Sequence, residues 1–206
     1  MKIKILLVSV VLILLFIVSC SAETSITMNT KTETVTADDG MVVLTVDVTY
    51  PNILDYEKKA DEFIRNNIET YTAEALEDQY IPYEFIMRCE VTYNENNKVS
   101  VLSEYYVYLG GVHGTTYFES ETVNIKTGAK LTPADLIKRD FDVKQMYIDL
   151  INNNPDDFFG EESINMLNAL PEINFFVTET GLTFYVNPYD IAPYSTGVVT
   201  VEVPFD

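Results

Sequence analysis

The chain has 206 residues, of which 47% are hydrophobic and 12% aromatic, and its formal net charge is −19. This aromatic content is far above that of disordered proteins, so the composition predicts a packed globular body of one domain or two small ones. The negative charge repels nucleic acid and anionic lipid headgroups, which excludes both as expected partners. It attracts basic proteins, cationic peptides and divalent cations, although surplus acidic charge that serves only solubility is an equal alternative.

The first twenty residues have the pattern of a bacterial lipoprotein signal. Two lysines precede an apolar run from Ile5 to Val18, which is shorter than the roughly 20 residues of a membrane span. The run ends in Val18-Ser19-Cys20 and resembles a lipobox, in which Cys20 is acylated and becomes the first residue of the mature chain. We expect residues 1–19 to be removed, residues 20–24 to form a lipidated tether, and the rest to face the extracytoplasmic side of the cell membrane. An ordinary signal peptide or an uncleaved anchor is the alternative.

Removal of Lys2 and Lys4 with the signal would take the net charge from −19 to −21. If Cys20 is lipidated, Cys89 is the single remaining cysteine, which excludes an intramolecular disulfide. Cys89 lies in an apolar stretch, where a small buried thiol is its commonest role. Since neither a second Cys nor a His stands near it in the sequence, no nucleophile or metal site is indicated there.

Residues 25–109 predict an N-terminal α+β module. Strands are expected over 26–37 and 41–50, joined by Asp38-Asp39-Gly40, which is a strong hairpin signal. From Ile53 to about Leu76, apolar residues recur every three or four positions and predict an amphipathic helix. Two further strands, over 83–93 and 99–109, flank a polar turn at 94–97.

Residues 110–206 predict a second α+β module. A short helix is expected to begin at Thr132-Pro133-Ala134-Asp135, with Thr132 as the N-cap. The other expected elements are a strand over 115–125, helices over 143–151 and 164–170, and strands over 174–177, 182–187 and 198–205. The predicted fold class is therefore α+β, with antiparallel sheets and helices packed on one face.

The single histidine, His113, lies in Gly110-Gly111-Val112-His113-Gly114. No Lys-Ser/Thr pair follows, so this is not a phosphate loop, and one His argues against a zinc site. The favoured interpretation is a glycine-rich bend whose imidazole bonds to local backbone. The alternative is an acid or base of a cell-wall hydrolase or deacetylase, whose other catalytic groups the sequence does not reveal. We predict no catalytic residue, metal or cofactor, and hence a binding protein rather than an enzyme.

Two other segments carry distinctive residues. Tyrosines recur in 104–108 and 189–197, and Tyr189 and Tyr194 are candidate ligand anchors together with His113, because tyrosine rings give contact area at low entropy cost. Sheet faces and a rigid turn would explain the same tyrosines. The carboxylates of 156–162 miss the spacing of a calcium loop, so a solvated acidic loop is favoured.

An ordered set of motifs resembles a known extracytoplasmic domain. The set comprises 110–114, 124–132, Leu136 and 184–194, and it is similar to the C-terminal sensor module of RsiV-type anti-sigma factors, which bind lysozyme. The same module accompanies the catalytic domain of PdaC-type peptidoglycan deacetylases. The preceding half, in which Tyr50-Pro51 leads into a helix, is similar to the companion module of that domain.

The resemblance implies a binding module of the cell envelope and no activity of its own, since the sequence contains neither a deacetylase nor an anti-sigma segment. We therefore expect a lipid-anchored envelope protein that recognises a lysozyme-like basic protein or a cell-wall glycan. The alternatives are the hydrolase or deacetylase that uses His113, and a structural lipoprotein that partners another envelope protein.

Overall fold

The computed structural model describes residues 25–78 and 81–205. The predicted signal segment and Cys20 lie outside the described residues. Within the described part of the chain, no helix is both long and apolar enough to cross a membrane.

A six-stranded sheet and one long helix form the first unit. The strands lie in the order β1-β2-β3-β4-β5-β6 across the sheet. The elements are β1 (Met28–Thr36), β2 (Val42–Pro51), α1 (Tyr56–Glu77), β3 (Tyr83–Glu95), β4 (Lys98–Tyr108), β5 (Thr115–Asn124) and β6 (Ala129–Lys130).

The predicted α+β class is confirmed, with one correction to the expected antiparallel pairing. β2 and β3 are parallel, in a register that runs from Leu44 opposite Tyr83 to Thr49 opposite Arg88. The reason is α1, whose 22 residues connect the two strands. A connection of that length carries the chain back to the end of the sheet where β2 began, so β3 runs in the same direction as β2.

The hairpin turns follow the residues that predicted them. Gly40, with φ of 90°, closes the turn between β1 and β2. Asn96 and Asn97, with φ of 52° and 61°, form the two-residue turn between β3 and β4. Asparagine tolerates this left-handed backbone, which matches the twist of the strands it joins.

Side chains alternate between the two faces of each strand, and this alternation gives the sheet two different faces. On one face, apolar residues pack under α1, with Val48 and Phe85 at most 1% exposed and Ala60 of the helix fully buried. Lys31 on β1 and Lys59 on α1 form ion pairs across this contact, with Asp61 and Glu121 respectively, both at 2.6 Å. The first core therefore lies between α1 and one face of the sheet.

The second unit is a three-stranded antiparallel sheet covered by helices. Its elements are α2 (Pro133–Leu136), α3 (Val143–Asn153), α4 (Glu161–Ala169), β7 (Asn174–Val177), β8 (Gly181–Val186) and β9 (Val199–Pro204). The predicted cap of α2 is confirmed, because Asp135 accepts a hydrogen bond from the Thr132 N–H at 2.8 Å. Tyr147 and Leu167 are fully buried against Leu182, and the Tyr147 hydroxyl donates to the Val199 carbonyl at 3.1 Å.

Polar side chains join the two units, on the face of the first sheet that is turned away from α1. The Ser100 hydroxyl accepts from the Val177 N–H at 3.0 Å and from Thr122 at 2.9 Å. One strand further along, Ser120 donates to the Phe175 carbonyl at 2.6 Å. The predicted boundary at 109/110 falls in the loop between β4 and β5, and β5 then continues the first sheet.

Candidate ligand-binding surface

The three predicted ligand-binding residues lie together in one stack of rings. His113 lies against Tyr194 with ring centroids 4.9 Å apart and planes within 9°. Tyr189 lies against Tyr194 with centroids 5.2 Å apart and planes within 24°. We call these three side chains the aromatic platform. It joins the loop before β5 to the loop between β8 and β9, so both units contribute to it.

The loop that carries His113 depends on glycine at three positions. Gly110 and Gly111 have φ of 84° and 105°, a left-handed backbone that favours glycine. At position 114 glycine is required for another reason, because a Cβ atom there would collide with the ring of Tyr106. The His113 Nδ1 lies 2.8 Å from the Gly114 carbonyl oxygen. That contact requires a proton on Nδ1 and orients the imidazole toward Tyr194.

The second loop, residues 187–197, is fixed to β5 by Asn187. Its amide accepts from the Phe118 N–H at 2.7 Å and donates to the Phe118 carbonyl at 3.2 Å, as a neighbouring strand would. At the other end of the loop, the Tyr194 hydroxyl donates to the Gly114 carbonyl at 3.2 Å. Both ends of the second loop are therefore held to the first unit by hydrogen bonds.

Tyr189 is the outermost ring of the platform. It is 52% exposed and has φ of 71°, a conformation that is rare for a bulky residue. Such strain in a non-glycine residue costs on the order of 1–3 kcal/mol and clusters at functional sites. At the far end, the loop containing His113 carries Val112, which is fully exposed.

Exposed negative charge lies beside the second loop. The Thr196 hydroxyl donates to the Asp157 carbonyl at 2.9 Å, which places the exposed acidic turn of Asp156 and Asp157 beside the second loop. No Lys, Arg or His follows Lys144 in the sequence, whereas Asp and Glu continue to its end. Within the loop, burial raises the pKa of Asp190, and a hydrogen bond from the Asn187 N–H offsets part of that rise.

The other tyrosine-rich stretch, residues 104–108, serves as a scaffold. Tyr105 is 9% exposed and packs in the first core, where its ring stacks on Tyr117 at 4.8 Å. The ring of Tyr106 packs against Gly114, and the Tyr108 hydroxyl donates to the Gly111 carbonyl at 3.1 Å. Of the two stretches, only 189–197 places tyrosines in the platform.

Cys89 is buried, as its sequence context predicted, and its sulfur lies 3.3 Å from the Ser103 hydroxyl. Burial raises the pKa of the Cys89 thiol, which keeps it protonated at neutral pH. Among residues 25–78 and 81–205, no group of three or more His, Cys, Asp or Glu residues is placed to hold a metal ion. The prediction that the chain is not an enzyme stays a prediction.

Sequence reasoning missed the residues that position the platform. Asn187 and Gly114 hold the two loops together, yet their roles depend on contacts with Phe118 and Tyr106 on the first sheet. The one available pattern was Asn187-Pro188, a dipeptide typical of turns. It predicts a loop there but gives no partner for the amide.

Comparison with known proteins agrees with the architecture. Residues 40–116 match the family model described as deacetylase PdaC, and residues 125–206 match the one described as a protein of unknown function, DUF3298. The crystal structure of a DUF3298 family member from Bacteroides fragilis superposes with a TM-score of 0.54 at 20% identity, covering 87% of this chain and 90% of that one. A DUF3298 family protein from Pseudomonas aeruginosa gives 0.51 at 11% identity, with the same coverage of each chain. No curated protein matches the chain significantly.

The structural likenesses show the fold, and the two family matches confirm the resemblance that the motifs predicted. The families of the two segments indicate an envelope-associated domain.

Proposed function

Because the chain joins a PdaC-like segment to a DUF3298 segment, we propose that it is a lipid-anchored binding module of the cell envelope. The anchor is Cys20, and the module captures a basic extracytoplasmic protein of the lysozyme type on the aromatic platform. The proposal follows from the surface that the two segments build together.

The platform is the observation that carries this proposal. Its three rings are stacked, its central ring Tyr194 is hydrogen-bonded to the first unit through the Gly114 carbonyl, and Tyr189 remains 52% exposed in a strained conformation. A side chain that serves only packing would be buried and unstrained. Exposed tyrosines held in one orientation are instead typical of the few residues that contribute most of the free energy of binding at an interface.

Charge supports a basic partner. The turn of Asp156 and Asp157 touches the platform loop, and the sequence after Lys144 contains no cationic side chain. Opposite charge would speed the encounter and exclude acidic competitors, while affinity would depend on the platform rings that the partner covers. Binding that combines both features should be saturable and should survive physiological salt.

Calorimetric titration of residues 21–206 with lysozyme at physiological salt tests the proposal. We expect saturable one-to-one binding to lysozyme and none to cytochrome c, a basic protein of unrelated shape. Equal heats from both proteins, or none from lysozyme, would contradict it. If lysozyme gives no heat, heat from solubilised cell-wall glycan would indicate a sugar ligand instead.

Substitution then assigns the binding to the platform. Tyr189→Ala should weaken lysozyme binding about 30-fold, the effect of losing a hot-spot residue worth about 2 kcal/mol. The matched control is Tyr117→Ala, because Tyr117 is also a stacked and exposed tyrosine, at 38%, but lies on the α1 face of the first sheet. Equal losses in the two variants would place the contact elsewhere.

A further inference from the structure

The two edges of the six-stranded sheet are closed to different extents. On the β5 side, the Asn187 amide pairs with both backbone groups of Phe118, and the Leu131 N–H donates to the Thr122 carbonyl at 2.8 Å. These contacts occupy backbone groups that a further strand would need. The chain thus protects this edge with its own residues.

The β1 edge has no such cover from the described part of the chain. β1 is the end strand of the sheet and pairs along its whole length with β2 on the other side. Seven of its nine residues are exposed, and the strand contains neither Gly nor Pro. Its four threonines favour extended backbone. An exposed edge of this length and composition is able to accept another strand.

The lysine on β1, Lys31, does not prevent another strand from pairing with this edge. Natural edge strands often use an outward lysine to oppose pairing. Lys31 instead reaches over the sheet face to α1, where its Nζ lies 2.6 Å from Asp61 and 3.5 Å from Glu57. Its ammonium group thus lies over the sheet face instead of pointing outward from the edge, so it remains compatible with a neighbouring strand.

The sequence of β1 is complementary to itself. In an antiparallel pair of two β1 strands centred on Thr32, Lys31 of each copy lies opposite Glu33 of the other. Thr30 lies opposite Thr34 in the same two-fold arrangement. Opposite charges and threonine pairs are both favourable as direct cross-strand neighbours. A two-fold axis at Thr32 closes the assembly at two copies.

We propose that β1 is the dimerisation edge of this protein, and that two copies join their six-stranded sheets through antiparallel β1 strands centred on Thr32. The pairing uses the edge that the platform leaves free, so it does not depend on the function proposed for that surface. The net charge of −19 per chain opposes association, so we expect a weak dimer that needs high local concentration.

Cysteine cross-linking of the full chain in detergent micelles tests the register. Cys20→Ser removes the N-terminal thiol from every variant, and the buried Cys89, also present in every variant, contributes the same background to each. Thr32→Cys places two thiols at the two-fold axis, within about 5.5 Å of each other at Cβ. The control Thr30→Cys lies on the same face, yet its two copies would be about 14 Å apart, four residues along the strand. With a short bis-maleimide, which forms a thioether with each cysteine thiol, we expect about tenfold more covalent dimer from Thr32→Cys than from Thr30→Cys.

A charge reversal supplies the second readout. Adding Glu33→Lys to the Thr32→Cys chain places like charges opposite each other twice, and should lower the dimer yield about tenfold. Glu33 is exposed, so the monomer fold should be unaffected, which circular dichroism checks. Equal yields from the two cysteine positions, or a yield that Glu33→Lys leaves unchanged, would overturn the proposal. Absence of any covalent dimer would also overturn it and leave the edge to a strand from another protein.

Discussion

The two units of the molecule handle charge in different ways. In the first unit, lysines connect the helix to the sheet. Lys31 forms an ion pair with Asp61, and Glu121 forms ion pairs with both Lys59 and Lys130. The ion pairs found between described residues all lie in this unit. In the second unit no cation follows Lys144, and its acidic turn at 155–157 is exposed.

The difference lies in which carboxylates have a cationic partner inside the chain. Five carboxylates of the first unit are paired with its own lysines, so these five add little to an outward field. Asp156 and Asp157 of the second unit are exposed beside the second loop, where a cationic partner would compensate them. The second unit must therefore obtain its own stability from apolar packing and from hydrogen bonds to the first sheet.

Substitutions in the cores should have the largest effects. Phe85→Ala in the first unit should lower the free energy of unfolding by about 3–5 kcal/mol, and Leu167→Ala in the second by about 2–5 kcal/mol. Both side chains are fully buried and belong to separate clusters. Chemical denaturation measures the loss in the free energy of unfolding. Amide hydrogen exchange should accelerate more in the unit that carries the substitution than in the other unit. Uniform acceleration in both units would mean that the clusters unfold together.

Loss of the polar junction should have an intermediate effect. Ser100→Ala would leave the Val177 N–H and the Thr122 hydroxyl buried without the acceptor that both share. An unsatisfied buried group costs about 1–3 kcal/mol, so we expect a destabilisation in that range by thermal or chemical unfolding. The control Ser163→Ala removes another fully buried serine, within the second unit. If Ser163→Ala destabilised the protein and Ser100→Ala did not, the polar junction would contribute nothing to stability.

The sequence predicted the elements well because each one carries its own local pattern. The alternation in β2, the three- and four-residue spacing in α1, and the cap at Thr132 all depend on neighbouring residues, and each element forms where expected. The parallel pairing of β2 with β3 was missed, although the length of α1 permits it. The choice of strand neighbours depends on contacts between distant segments.

The sequence identified the residues of the candidate site but did not predict that they lie together. His113, Tyr189 and Tyr194 were each identified by type, and local sequence could not show that two loops from different units bring them within ring-stacking distance. That juxtaposition requires Asn187 to reach Phe118 across the junction. It is a consequence of how the two units pack.

The smallest expected effects come from replacing one carboxylate in each unit. The resulting change in stability should depend on pH with opposite signs in the two units. Burial alone would raise the pKa of Glu121, but hydrogen bonds from Lys59 and Lys130 outweigh it and hold the pKa below the ordinary value of 4.5. A lowered folded-state pKa gives stability that is present above about pH 4.5 and lost as the pH falls through the folded value. Glu121→Gln should therefore cost at most about 1 kcal/mol at pH 7, measured by chemical denaturation, and less at pH 3.

Asp190 of the second unit provides the opposite case, because burial raises its pKa above the ordinary value of 3.8. Its favourable contribution is present below that value and is lost as the pH rises through the folded pKa. Relative to the wild type, Asp190→Asn should therefore be more stable at pH 7 than at pH 3, whereas Glu121→Gln changes in the other direction. The same sign in both variants would contradict the contrast, since it would mean that the carboxylate of the second unit is compensated as fully as that of the first.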